Sequence, residues 1–436
     1  MHTTEKQVLR LGIAGHALVH LFEGVTPPLI PLLAREFNTS YLALGAVVTL
    51  FGYLFGFGSI PAGYLTDRVG PRRLISIYLV GAGVVSLLFP LARSLLMYAF
   101  FTALIGLFAS SYHAAGNTLI SRTVSEKGKA FGIHGIAGSI GTALVPALAA
   151  GLAALGGWRA PHLVFGVLSI GLGVLSLRVP EAPAAIAPQT PAPTSTTSAT
   201  STSSAASAAS ATAATSATPA AGPKARRPLG PVPARYLVAF WLGTGLFGLA
   251  MRGVLTFLPA YLGESFALFG EGNGIDIVTL GGVSATVVLL SGAVGQYLGG
   301  IAADKYSGET LYVLILLMSS LLLPFMALSS GFALVAIGIV FALFGFAVQP
   351  VQNFLLVRYV HPESHGKMFG IHFFLVFGVG SAGAVVSGYL ADVFGLASVF
   401  LGMGLFSTVA TLCILYLHLS VRAGLPASPV TPTEVS

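Results

Sequence analysis

Twelve apolar stretches, each long enough to cross a lipid bilayer as a helix, constrain the fold of this sequence more than any other feature. A transmembrane helix needs about 20 predominantly apolar residues. The chain has 55% hydrophobic and only 8% charged residues, against about 25% charged in soluble domains. We therefore predict an all-α integral membrane protein with twelve transmembrane helices. The predicted spans are 9–33, 41–65, 74–92, 95–120, 130–155, 161–177, 236–262, 275–303, 311–328, 332–357, 368–394 and 397–419.

A low-complexity tract divides the spans into two sets of six. Residues 180–233 consist mainly of Ala, Ser, Thr and Pro and have almost no large apolar side chains, so we expect them to form no core. The tract predicts a cytoplasmic linker between two six-helix bundles. The bundles are assigned to residues 1–179 and 234–421, with a cytoplasmic tail at 422–436.

The positions of Lys and Arg predict the orientation of the chain. Most of the 21 basic residues fall on the same side of the spans as the termini, whereas Arg35, Arg93 and Arg159 fall on the other side and Arg252 within a span. Because cytoplasmic loops are enriched in Lys and Arg, we predict a multi-pass protein of the cytoplasmic (inner) membrane with both termini in the cytoplasm. The scatter of these charges over short loops argues against nucleic acid as a partner.

The sequence lacks the motifs expected of an enzyme or of a cofactor-binding protein. Its single cysteine, Cys413, lies in an apolar stretch, which excludes internal disulfides and cysteine metal sites. It has no G-x-x-x-x-G-K-[ST] phosphate-binding loop. We therefore predict a protein that is not an enzyme, carries no cofactor and does not use ATP as its energy source.

The two halves of the chain repeat each other. Because six spans is an even number, the repeats have the same orientation in the membrane, and we predict two parallel-repeated six-helix bundles with a binding site between them. The matching segments are GKAFGIH at 128–134 and GKMFGIH at 366–372, NTLISR at 117–122 and NFLLVR at 353–358, and EGV at Glu23 and RGV at Arg252.

The loop between the second and third spans carries a motif. Residues 63–73 read GYLTDRVGPRR, and the equivalent loop of the second half, GGIAADKYSG, keeps Asp304 and Lys305. The first segment resembles the G-x-L-x-D-R-x-G-x-R-R pattern of the major facilitator superfamily, and the resemblance implies the major facilitator fold. Within that superfamily, the sequence around spans four and five is most similar to the fosmidomycin-resistance type of exporter.

The resemblance implies a gate at this loop. In the family, the Asp of the motif lies near the start of a helix of the opposite half, where the helix dipole favours an anion. Carried over, Asp67 would hold the cytoplasmic side shut, with Asp304 as its degenerate counterpart. Gly63 would allow close helix approach and Gly70 a tight turn. Arg68, Arg72 and Arg73 would pair or anchor; the alternative is that these arginines only fix the topology.

The first span carries three ionisable residues on one face. His16, His20 and Glu23 are spaced i, i+4 and i+7, and ionisable groups inside a membrane are costly and usually functional. Glu23 lies near the midplane, and Arg252 lies at a similar depth in the seventh span. Since the resemblance implies that spans one, four, seven and ten line a central cavity, we expect Glu23 and Arg252 to face each other across it.

Three interpretations of this group are open. In the first, Glu23 carries the coupling proton, assisted by His20 and His16, while Arg252 contacts an anionic or polar part of the substrate. In the second, the histidines and Glu23 hold a transition metal; against this, few ligands are available and a facing Arg repels a cation, so we predict no metal. In the third, Glu23 and Arg252 form a purely structural pair.

Other polar residues fall at corresponding positions of the two halves. His113 and Asn117 in the fourth span match Gln349 and Asn353 in the tenth, and we predict that all four contact substrate, with hydrogen bonding between helices as the rival explanation. His134 and His372, each about a turn into its span, are predicted to act in gating near the cytoplasmic mouth.

These observations predict a secondary active transporter that works by alternating access, and the sequence does not identify its substrate. Proton-coupled export of a small organic compound by a monomeric protein is the leading expectation. The alternatives are uptake or exchange of a small organic anion, and a transporter-like receptor without net flux.

Overall fold

The computed structural model describes residues 3–181, 232–267, 276–360 and 365–424, and this part of the chain is helical, without strands. Of the predicted linker, only its first two and last two residues are described. The first half consists of α1 (Thr3–Gly24), α2 (Thr26–Glu36), α3 (Tyr41–Val69), α4 (Pro71–Leu87), α5 (Leu95–Ala109), α6 (Tyr112–Thr123), α7 (Lys127–Gly156) and α8 (Arg159–Ser176). The second half consists of α9 (Ala234–Ala267), α10 (Ile277–Lys305), α11 (Gly308–Ala327), α12 (Gly331–Tyr359), α13 (His365–Phe373), α14 (Ala382–Phe394) and α15 (Leu396–Gly424).

These helices form twelve segments long and apolar enough to cross a membrane, which confirms the predicted number of spans. The observed segments are often longer than the predicted ones, because helical turns continue past the apolar residues. The first segment, for example, covers Thr3–Glu36 rather than 9–33. Since twelve is even, both ends of the described chain lie on one face of the bundle, here named the terminal face; the opposite one is the distal face.

Three of the twelve segments are interrupted helices. Pro27 and Pro28 open α2 and have no N–H to donate, so the carbonyls of Glu23 and Gly24 lose their intrahelical partners. The hydroxyls of Ser110 and Ser111, between α5 and α6, bond the carbonyls three residues earlier, a pattern that bends helices. In the eleventh span, a π-helical turn and a 3₁₀ turn lie between α13 and α14.

The two halves contact each other from the distal face to about the middle of the bundle. Helix α3 packs against α14, and α7 against α10. Glycines allow this approach: a Cβ on Gly45 would lie 2.3 Å from the Ala384 carbonyl oxygen, and one on Gly282 would lie 2.5 Å from that of Pro146. On the terminal side, by contrast, a Cβ on Gly63 or Gly132 would have nothing within 4 Å. The halves therefore diverge toward the terminal face.

Candidate functional site

A cavity of about 420 Å³ lies between the two halves. Both halves supply polar groups to it, and phenylalanines such as Phe247, Phe346 and Phe377 supply apolar wall. Among the described lining residues, Glu23 is the only carboxylate and Arg252 the only guanidinium. The polar residues that line the cavity are His16, His20, Glu23, His113, Asn117, His134, Ser139, Thr142, Thr244, Arg252, Thr256, Gln296, Gln349, Gln352 and His372.

An ion pair joins the two halves inside this cavity. Arg252 of α9 donates from Nη2 to Oε1 of Glu23 at the end of α1, and only 13% and 11% of the two side chains are exposed. The other carboxylate oxygen accepts a hydrogen bond from Nδ1 of His20, at 2.9 Å. The two charges that the repeat predicts to face each other are thus in contact, and both oxygens of Glu23 have partners.

A row of histidines extends from Glu23 into the first half. Nε2 of His20 lies 3.2 Å from Nε2 of His16, and Nδ1 of His16 donates to the carbonyl oxygen of His134 at 2.6 Å. The rings of His16 and His134 stack with centroids 4.1 Å apart. The ring of His113 lies 5.2 Å from that of His16 and 5.9 Å from that of His20.

Tyr112 holds this histidine row in place. Its hydroxyl donates to the carbonyl oxygen of Gly12 in α1 and lies 3.0 Å from Nε2 of His134 in α7. Tyr112 is fully buried and is the first residue of α6, so the interruption at Ser110–Ser111 places it and His113 beside α1. Three helices of the first half are thereby fixed to one another around the histidines.

Most of the residues predicted to bind substrate or protons line the cavity, but Asn353 does not. The part of α12 that lines it runs through Gly345, Phe346, Val348, Gln349 and Gln352. Asn353 shares a helical face with Phe346 and Gln349 but is not among the lining residues. Gln352 donates to the hydroxyl of Tyr312 at 2.7 Å. The sequence comparison thus identified the cavity-lining stretch of α12 through Gln349 but did not indicate Gln352.

His134 and His372 also line the cavity, whereas the sequence placed them near its cytoplasmic mouth. Both are nearly fully buried. His134 contacts His16 and Tyr112, and the ring of His372 stacks on that of Phe240 with centroids 6.0 Å apart. Each of these histidines lies seven residues after the first residue of its helix, α7 or α13, and this depth already reaches the cavity.

Among the described residues, the motif on the terminal face does not join the two halves in this conformation. Asp67 contacts Nη2 of Arg122, in its own half, at 2.7 Å, and 68% of its side chain is exposed. The close helix approach expected at Gly63 is not present, because a Cβ there would meet nothing within 4 Å. The divergence of the halves explains both differences from the predicted gate.

The rest of the motif makes contacts within the first half. Gly70 has a φ of 95°, a left-handed conformation that favours glycine. The backbone N–H groups of Arg72 and Arg73 donate to the carboxylate of Glu181 at 2.8 and 3.2 Å. The side chains of Arg68, Arg73 and Asp304 are exposed.

Sequence reasoning missed a contact between the halves at the distal face. Both carboxylate oxygens of Asp392, in α14, accept hydrogen bonds from the backbone N–H groups of Tyr41 and Leu42, at 2.9 and 2.8 Å. A signal for it exists: GYLADVFG at 388–395 repeats GYLTDRVG at 63–70. The two segments end non-equivalent spans of the two halves, the second and the eleventh, so the parallel repeat does not relate them.

Gln296 of α10 is a second residue that the sequence did not indicate. It donates from Nε2 to Oε1 of Gln349 at 2.6 Å and accepts a hydrogen bond from the hydroxyl of Ser139 in the other half. Gln296 thus connects α7 of the first half to α12 of the second at the edge of the cavity.

Comparisons with known proteins agree with this architecture. A sequence model described as Major Facilitator Superfamily matches residues 13–269 and again 240–434. The chain is also similar in fold to a bacterial homologue of the human lysosomal transporter Spinster in an inward-facing and occupied conformation. That similarity has a TM-score of 0.77 with 14% sequence identity, over 98% of this chain and all of the other.

Two relatives with names that describe a function are similar in sequence. The probable sulfoacetate transporter SauU of Cupriavidus necator is 24% identical over 290 residues, which cover 64% of this chain and 60% of the relative. The membrane sensor protein UhpC of Salmonella typhimurium is 33% identical over 146 residues, 33% of each chain. Each match therefore spans less than two thirds of the relative's own length.

Proposed function

This chain belongs to the Major Facilitator Superfamily, and on that premise we propose that it transports a small organic anion by alternating access, with protons as the coupling ion. The observation that carries the proposal is the ion pair between Arg252 and Glu23, which joins the two halves inside the cavity. We place the protein in the inner membrane as a monomer. We place both termini in the cytoplasm, on the grounds of the distribution of Lys and Arg.

Arg252 is the group suited to bind an anionic substrate. A guanidinium recognises carboxylate, sulfonate or phosphate oxygens through two parallel N–H groups, and no other guanidinium is among the described lining residues. Glu23 already occupies Arg252. An anionic substrate therefore has to replace Glu23 as the partner of Arg252.

A proton on Glu23 makes this replacement possible. Breaking a buried ion pair by leaving one charge without a partner costs about 3–5 kcal/mol, so an anion that displaced an ionised Glu23 would leave its charge uncompensated. Protonation removes that charge while the anion compensates Arg252. Proton and anion then bind together and move in the same direction.

The anion is favoured over the exported compound that the sequence analysis put first. A proton antiporter for a cation would use a carboxylate as its cation site, and the described cavity lining offers only Glu23, which is held by Arg252 and His20. The name of the relative SauU supports the same class of substrate. The likeness to fosmidomycin-resistance exporters stays a prediction from sequence.

The test is proton and anion flux in proteoliposomes that enclose a pH dye, with a sulfonate, a sugar acid and a sugar phosphate as candidate anions. For wild type, an inward gradient of a transported anion should acidify the lumen. Glu23→Gln, which resembles the protonated side chain, should lose this acidification but keep exchange of labelled anion for anion. Arg252→Gln should lose both, with uptake lowered by about 100-fold or more, the size expected when a buried charge partner is lost.

His418→Gln serves as the control, since this residue lies in α15 and does not line the cavity. Anion flux in Glu23→Gln that still carries protons would refute Glu23 as the proton carrier. Binding of an anion to wild type without flux of any kind would instead support the second candidate, a receptor, which the name of the relative UhpC favours.

A further inference from the structure

Three histidines of the first half lie close together on the cavity wall. His16 and His20 lie one turn apart on α1, and His113 lies in the first turn of α6. One nitrogen from each ring can be chosen so that all three lie within 4.8 Å of one another. The sequence could pair only the two residues on α1; the fold adds the third imidazole.

Hydrogen bonds fix which nitrogen of His16 and of His20 carries a proton. Nδ1 of His16 faces the carbonyl oxygen of His134, which can only accept, so this nitrogen is the donor. Nδ1 of His20 faces the carboxylate of Glu23, which also accepts from Arg252, so Nδ1 of His20 is a donor as well. In neutral imidazoles, both Nε2 atoms therefore carry lone pairs.

These two lone pairs point at each other across 3.2 Å. Two acceptors at this separation repel unless a cation lies between them. The tetrahedral edge between two nitrogens bound to Zn²⁺ at about 2.0–2.1 Å is about 3.3 Å, which is close to the observed separation. A shared proton would also relieve the repulsion, but it would not require a third nitrogen.

His113 supplies that third nitrogen. Its Nε2 is buried and has no hydrogen-bond partner among the described residues, an arrangement that is costly for a polar atom in a protein interior. A rotation of this side chain toward His16 and His20 would complete a set of three imidazole ligands. The fourth coordination position would face the cavity that all three residues line.

We propose that His16, His20 and His113 bind a divalent transition-metal ion of the Zn²⁺ class on the first-half wall of the cavity. The outer contacts match those of metal-binding histidines, whose second ring nitrogen donates to a carboxylate or a backbone carbonyl: His20 donates to Glu23 and His16 to the carbonyl of His134. Glu23 also balances Arg252, whose charge would otherwise repel the ion. This site shares Glu23 with the anion transport proposed above, but it does not depend on the substrate being an anion.

The test is metal binding to the purified, untagged full-length chain in detergent. Titration with Zn²⁺ in competition with a chromophoric chelator should give one ion bound per chain. Co²⁺ in place of Zn²⁺ should give the visible absorption bands of a tetrahedral nitrogen site. His20→Gln and His113→Gln should each weaken the affinity by more than about tenfold, the lower end of the loss seen even for outer-sphere changes.

His372→Gln is the matched control, because His372 lines the same cavity from the other half and should leave the affinity unchanged. Absence of Zn²⁺ binding would overturn the proposal and leave a shared proton between His16 and His20. Binding that is unchanged in both His20→Gln and His113→Gln would also overturn it, because the ion would then lie elsewhere. Neither result bears on anion transport, which the proteoliposome assay measures separately.

Discussion

Helix α3 of the first half packs against the eleventh span of the second half. The C-terminal ends of these two segments carry similar short sequences but differ in their contacts. At the distal face, Asp392 of the second half accepts hydrogen bonds from the first two N–H groups of α3. At the terminal face, Asp67 near the end of α3 contacts only Arg122 of its own half among the described residues, and is largely exposed. One aspartate joins the halves and the other does not.

Because α3 and the eleventh span pack antiparallel, the same kind of contact, an aspartate at a helix N-terminus, can form at both ends of the pair. An aspartate near the C-terminal end of each helix lies close to the N-terminal end of its partner, where free N–H groups and the helix dipole stabilise an anion. When the halves tilt about their contact near the middle, one end closes as the other opens. We therefore expect Asp392 and Asp67 to contact the opposite half alternately, in the two conformations of a transport cycle.

The largest expected effect comes from Gly388, the first residue of GYLADVFG, which corresponds to Gly63 in GYLTDRVG. A Cβ on Gly388 would lie 2.4 Å from the carbonyl oxygen of Tyr41, and a backbone atom cannot move aside as a side chain can. Gly388→Val should destabilise the closed distal face by about 1–3 kcal/mol, a shift of about 5- to 150-fold toward the conformation open on that face. The measurement is labelling of a Thr256→Cys reporter, on a Cys413→Ser background, by an impermeant thiol reagent added from the distal side.

Gly63→Val is the matched control, because the equivalent glycine of the other copy faces open space in this conformation. It should not raise labelling of the reporter. If Gly388→Val and Gly63→Val raised labelling of the reporter equally, the distal contact would not be the one that is closed in this conformation.

The second prediction concerns the aspartates themselves and has opposite signs at the two ends. Asp392→Ala should raise distal labelling about fivefold, since the lost hydrogen bonds are exposed to solvent and contribute about 1 kcal/mol. Asp67→Ala should lower labelling, because it destabilises the other conformation and leaves more molecules in this one. An increase in both variants would refute the alternating contacts. Asp276→Ala, which removes a cap of α10 within one half, controls for general loosening of the distal face.

The overall fold could be predicted because the requirement for a membrane span is local in the sequence. About 20 apolar residues suffice to identify one, and the number of spans with the distribution of Lys and Arg then predicts the topology. The meeting of Glu23 and Arg252 followed from the repeat, since equivalent positions of parallel repeats lie at equivalent depths. Neither inference required knowledge of how the helices pack.

Helix packing and the conformational state could not be predicted in this way. How far along α12 the cavity extends depends on how the helices of the two halves pack, and a local sequence pattern does not give this. The approach of His113 to His16 depends on the interruption of the fourth span, which the sequence analysis treated as one helix. An open Gly63 and an exposed Asp67 belong to one of the two conformations that the proposed alternating access requires, and a single sequence would encode both.

The smallest expected effect comes from the partner of Asp67 on the terminal face. If Arg122 holds Asp67 within its own half, Arg122→Gln should release Asp67 to contact the second half and should raise distal labelling. The rise should be no more than about twofold, because exposed ion pairs contribute well under 1 kcal/mol. Arg159→Gln breaks a similarly exposed pair, with Glu36 at 3.0 Å, and should change nothing. The effect of Arg122→Gln should also vanish when Asp67→Ala is present, because the released group is then missing. If distal labelling still rose in this double variant, Arg122 would act through a contact other than Asp67. A different residue would then have to be the terminal-face counterpart of Asp392.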